Sequence, residues 1–149
     1  WDTKFGGGVK VHMGKFKKNK KYIKEAKKNQ SIKDNGGLRG FVFISNNNFP
    51  KSFPKKYKSL VTNSRVKISF MTTTQLHSIY QHFRSYENLI NNNSKAKNIF
   101  IGSMVKILFK IENGKKCILV ENQVLNNQFS ENIAEYKKLR AGRKLKIDN

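Results

Sequence analysis

The chain has 149 residues, with 31 Lys and Arg against 9 Asp and Glu, a formal net charge of +22 and a pI near 10.3. That length fits one domain, or one small domain with an appendage, and the hydrophobic fraction of 37% falls below the roughly 45–50% of globular chains, so part of the chain is expected to be ordered by a partner. No apolar run approaches the ~20 residues of a membrane span, the single Cys117 rules out an internal disulfide, and His12, His77 and His82 show no metal-ligand spacing.

In chain order, "WDTKFGGG" reads as a flexible approach and "VKVHM" as a short alternating strand. "GKFKKNKK" follows as a basic loop, and "YIKEAKKNQSIKDNGG" as a short helix or an insertion. "LRGFVFIS" has the aromatic and β-branched content of a strand, bounded by Gly40 and an Asn triplet. "NNFPKSFPKKYKSLVTNS" reads as a helix capped by Asn48, with Phe49, Phe53, Tyr57, Leu60 and Val61 on one stripe. Pro54 must then lie in its first turn, or the helix starts after it. "RVKISFM" is a strand in which Val66, Ile68 and Phe70 alternate with Lys67 and Ser69.

Further on, "TTTQLHSIYQHFRSYENLI" places Leu76, Ile79, Tyr80, Phe83 and Leu89 or Ile90 at helical spacing. "NNNSKAKN" reads as a linker. "IFIGSMVKILFKIENGKKCILVEN" reads as a hairpin turning at Asn113-Gly114, with Cys117 a buried strand thiol. "SENIAEYKKLRAGRKLKIDN" reads as a short helix closed near Gly142, followed by a basic tail. The expected fold class is α+β, an antiparallel sheet packed with helices, divided into a basic region 1–74 with its loop at 9–22 and an extension 75–149. The chain starts at Trp1 rather than Met, so an N-terminal part is expected upstream.

Catalytic patterns are thin. The nine acids are scattered, whereas a metal-dependent nuclease needs clustered carboxylates to hold its cation. Asp2 with Glu25-x-Lys27 imitates an Asp…Glu-x-Lys nuclease signature, but Glu25 lies in a polar stretch rather than at the end of an apolar strand. "FGGGVKVHMGK" fails the phosphate-loop spacing, because Lys15 is followed by Phe16. No cofactor-binding pattern stands out, and no enzymatic activity is expected.

The informative feature is basic. Lys15, Lys17, Lys18, Lys20 and Lys21 surround Asn19, interleaved with Phe16 and Tyr22. Lysines neutralise phosphates and release counterions, and aromatic rings stack on exposed bases. A solvated charged loop is the plain alternative. With basic residues in nearly every segment, nucleic acid is the expected partner. A membrane surface is not, because no basic amphipathic helix has an apolar face free of the core.

"VHMGKFKKNKKY" resembles the Val-Arg-Met-Gly-Lys-Gly-Lys-Gly-Asn-x-x-Tyr loop of large-subunit ribosomal protein sixteen, through Val11, Met13, Gly14, Lys15, Lys17, Asn19 and Tyr22. From Gly40 to Met71 the chain is similar to that family's strand, helix and closing strand, with Val66, Lys67, Phe70 and Met71 at matching places. The likeness covers residues 9 to about 74 and corresponds to the family's C-terminal half. His12 stands where the family has arginine, and Phe16 and Lys18 stand where it has glycines. "KEAKKNQSIKDNGGL" resembles an insertion, and residues 75–149 have no counterpart.

The resemblance implies an α+β constituent of the large ribosomal subunit. It implies packing on large-subunit rRNA, a loop directed toward the peptidyl transferase centre and the aminoacyl-tRNA, and neighbouring ribosomal proteins as partners. The resemblance carries the loop role onto His12, Met13, Gly14, Lys15, Lys17 and Asn19; the basic character of the chain adds Lys10, Phe16, Lys18, Lys20, Lys21, Arg39, Lys55, Lys56, Arg65 and Lys67 to the expected RNA-contacting residues. The abundance of Lys, Asn, Ile and Phe points to an A/T-rich genome. The expected setting is therefore an organellar ribosome, mitochondrial before plastid. The other readings are the nuclease above and a free-standing RNA-binding module.

Overall fold

A computed structural model describes residues 13–34, 36–38, 40–52, 54–55, 66–109 and 117–147, with backbone alone for 13–20, 117 and 143–147. The described residues are mostly helical, with one small sheet. The chain divides into two units: residues 1–73 with 111–119, and residues 74–110 with 120–149.

The first unit opens with α1, Met13–Lys28. Residues 9–22 were expected as a strand end and a basic loop; from Met13 onward they are helical. Lysine is a good helix former, so charge density alone does not mark a loop. The last turn carries Lys27 and Lys28, where positive charge suits the helix dipole. Ile23 is buried and ties the helix to the core. Asn29 then breaks the chain and caps α2, Gln30–Asp34, its Oδ1 accepting the Ile32 N–H at 3.2 Å. Gly36 and Gly37 end α2 at φ 88° and 80°. Gly37 N–H donates to Ile32 O at 2.8 Å and Gly36 N–H to Lys33 O at 3.1 Å, a Schellman closure that needs left-handed backbone.

The sheet corrects the expected fold class. β1, Gly40–Ser45, pairs with β2, Lys67–Thr72, and β2 pairs with β3, Cys117–Leu119. Both pairings are parallel, not antiparallel. Gly40 lies opposite Lys67 and Ser45 opposite Thr72; Ile68 lies opposite Cys117 and Phe70 opposite Leu119. β2 explains the error. Alternation predicted one wet face, yet Ile68, Ser69, Phe70 and Met71 are all buried. A central parallel strand is covered on both faces, and its sequence loses the period-two pattern. Around it, Ile23, Val66, Ile68 and Phe70 form the core, with Phe41, Phe43, Phe49 and Leu119 packed on it. The Phe43 and Phe70 rings stack at 5.2 Å, and Phe49 tilts against Phe70 at 5.1 Å.

The expected helix in "NNFPKSFPKKYKSLVTNS", residues 47–64, falls largely outside the described residues; residues 46–52 are not helical, so Asn48 caps no helix there, while Pro54 and Lys55 are helical.

Among the described residues the second unit holds three helices: α3, Thr73–Asn92, from Thr74 onward; α4, Ser94–Phe109; and α5, Asn122–Ile147. α3 follows its expected spacing, except that Tyr80 leaves the apolar stripe and is 53% exposed. The linker and the first arm of the hairpin are both replaced by α4. Asn93 is its cap, its Oδ1 accepting the Ala96 N–H at 3.1 Å. Ala96, Ser103 and Ile107 are buried at helical, not strand, spacing. The turn at Asn113-Gly114 lies outside the described residues. α5 is one long helix that runs through Gly142 rather than closing there. Leu89, Ile90, Ala96 and Tyr136 form the core of this unit, with Phe83, Tyr86, Ile99, Phe100 and Leu139 around them.

Candidate nucleic-acid interface

The basic α1 is the strongest candidate. Lys24 sits on its exposed surface, and the four helix positions that neighbour it, i−4, i−3, i+3 and i+4, hold Lys20, Lys21, Lys27 and Lys28. Like charges at these spacings each cost about 0.2–0.5 kcal/mol, so Lys24 alone carries about 1–2 kcal/mol of repulsion in the free protein. One local relief is an exposed ion pair, Lys21 Nζ to Glu25 Oε1 at 3.7 Å. A polyanion laid along the helix would turn this repulsion into attraction.

The residues expected to contact RNA distribute as follows. Met13, Gly14, Lys15, Phe16, Lys17, Lys18, Asn19 and Lys20 lie on the first half of α1, and exposed Lys21 continues it. Lys55 is exposed beside Pro54. Lys67 is half-buried at the start of β2, opposite Gly40. Lys10, His12, Arg39, Lys56 and Arg65 lie outside the described residues. Glu25 of the nuclease signature is exposed on α1, paired with Lys21, and not on a strand. Asp2 lies outside the described residues. Among the described residues, no group of three His, Cys, Asp or Glu is placed to hold a metal ion, and no helix is long and apolar enough to cross a membrane.

Charge is uneven between the units. Segments 1–73 and 111–119 hold 20 Lys and Arg against 4 Asp and Glu, a net of +16; the rest hold 11 against 5, a net of +6. The phosphate-neutralising capacity therefore lies mainly with α1 and the segments grouped with it.

The second unit contains a buried polar network that the sequence did not reveal. Ser103 on α4, Asn132 on α5 and His82 on α3 are all buried. Ser103 Oγ donates to Asn132 Oδ1 at 2.5 Å and lies 2.9 Å from Ile99 O, while Asn132 Nδ2 lies 3.3 Å from His82 Nε2. The His82 ring stacks on Phe129 at 4.1 Å, with Phe100, Tyr86 and Tyr136 at 5.5–6.4 Å. Burial holds the His82 pKa below 6.5. Burial, then the neighbouring Tyr86, pushes the Tyr136 phenol up to about 12. Asn132 stands between the serine and the histidine, so the three do not form a nucleophile–base pair. They lock three helices together. The signal for it was faint: isolated polar residues in register with buried apolar ones.

No known protein family, curated protein or solved structure matches the chain.

Proposed function

We propose that the protein is an RNA-binding structural constituent of the large ribosomal subunit, binding rRNA and helping to organise the aminoacyl-tRNA and peptidyl transferase region. The observation that carries the RNA-binding part is Lys24 within its cluster of four lysines, on a helix whose free form is self-repelling. The ribosomal part rests on the Val11, Met13, Gly14, Lys15, Lys17, Asn19 and Tyr22 likeness alone. The parallel sheet removes the fold-level support that an antiparallel sheet would have given it. The A/T-rich composition favours a mitochondrial ribosome.

The test of RNA binding is its salt dependence in the full chain. The logarithm of affinity for rRNA falls linearly with the logarithm of salt. Replacing Lys17, Lys20 and Lys24 together by Gln flattens that slope by about 2. A slope unchanged in the triple variant contradicts α1 as the phosphate-contacting element.

A further inference from the structure

α3 presents a second surface whose chemistry differs from that of α1. Its exposed positions include His77, Tyr80, Gln81, Arg84, Ser85 and Asn88, one helical face with no lysine. Its one acid, Glu87, is held by Arg84. Tyr80, with 53% of its surface exposed, is among the few large hydrophobic residues left open. The His77 ring lies 6.4 Å away, tilted by 40°. Gln81 Nε2 lies 3.2 Å from His77 Nε2, which steadies the amide and leaves its oxygen as an acceptor.

Phosphate contacts set position and base contacts set sequence. A face built from Tyr, Gln, Asn, Arg and Ser matches the second task. Amides and guanidinium groups pair with base edges, and an open phenol ring stacks on an unpaired base. Arg84 and Glu87 balance on the helix itself, while the second unit as a whole carries a net +6, the sign that suits a polyanion. We propose that this face of α3 binds unpaired RNA bases, with Tyr80 as the stacking platform and Gln81 reading an adjoining base edge. Affinity then comes from the lysines of α1, and base selection from α3. The inference rests on the RNA-binding reading above, and concerns a different surface.

The experiment compares the full chain with its Tyr80→Ala, Tyr80→Trp and Gln81→Ala variants on two probes, a pool of random 20-nucleotide single-stranded RNAs and a fully paired RNA hairpin. Tyr80→Ala is expected to lose about tenfold in affinity for single strands, with duplex binding and salt slope unchanged. Tyr80→Trp is expected to restore that affinity, and Gln81→Ala to flatten the sequence preference of the selected pool. Equal binding of single strands by wild type and Tyr80→Ala overturns the proposal, as does an equal loss on both probes. A wild-type chain that binds neither probe overturns the RNA-binding reading as well.

Discussion

Asn132 Nδ2 faces His82 Nε2 at 3.3 Å inside the second unit. An amide nitrogen can only donate, so with the amide in this orientation Nε2 is the acceptor. Protonating Nε2 would set two donors against each other.

The burial of His82 fixes a direction of pH dependence. Burial lowers the His82 pKa in the fold, so between that value and 6.5 the unfolded chain binds more protons. The contribution of His82 is fully present above 6.5 and is lost as pH falls through the window below it, at no more than about 1.4 kcal/mol per pH unit. The melting temperature is therefore expected to fall between pH 7 and pH 5, and His82→Gln to flatten that decline. An equally steep decline in the variant would assign it to other groups.

Among the described residues, two buried hydroxyls have no hydrogen-bond partner, Ser69 Oγ on β2 and Tyr136 OH on α5. Each holds a desolvated polar group that folding does not repay. Ser69→Ala and Tyr136→Phe are each expected to stabilise the protein by about 1 kcal/mol, raising the melting temperature by a few degrees. A loss of stability in either would mean that its hydroxyl is satisfied in solution.

Phe70 is the centre of the first core, 1% exposed and in ring contact with Phe43 and Phe49. Phe70→Ala is expected to cost about 3–5 kcal/mol in denaturant unfolding. A cost below about 1 kcal/mol would show that the parallel sheet does not depend on this cluster.

Lys24→Glu separates folding from binding. Each of its four helix pairs changes from repulsion to attraction, so the free protein is expected to gain roughly 2–4 kcal/mol. RNA affinity is expected to fall, with a flatter salt slope. Calorimetry and a binding titration on the same variant check both directions; a variant that loses stability would contradict the repulsion argument.

The elements legible in the sequence were those with one clear period. β1 announced itself through "GFVFIS", and α3 through its spacing from Leu76 to Ile90. The parallel pairing was hidden because Ser69 looks like a solvent-facing residue while lying buried in a two-sided strand. α4 was hidden because Ile99, Ile101, Val105 and Ile107 are β-branched, and because Asn93 reads as linker when it is a cap. In α1 only residues 13–21 read as strand end and loop, because lysine density masks good helix propensity; the short helix that "YIKEAKKNQSIKDNGG" offers as one of its two readings is present in the second half of α1 and in α2. For the candidate interface, composition pointed to a basic partner surface. The Lys24 cluster needs the helix before its spacing means anything, and Tyr80 lies outside the apolar stripe that its spacing predicts.

The most direct test of the central claim is sedimentation of the tagged full-length protein from a mitochondrial lysate through a high-salt sucrose gradient, with mass spectrometry of each fraction. The account predicts comigration with the large ribosomal subunit at salt that strips loosely bound proteins. Recovery at the top of the gradient, free of rRNA, would contradict it.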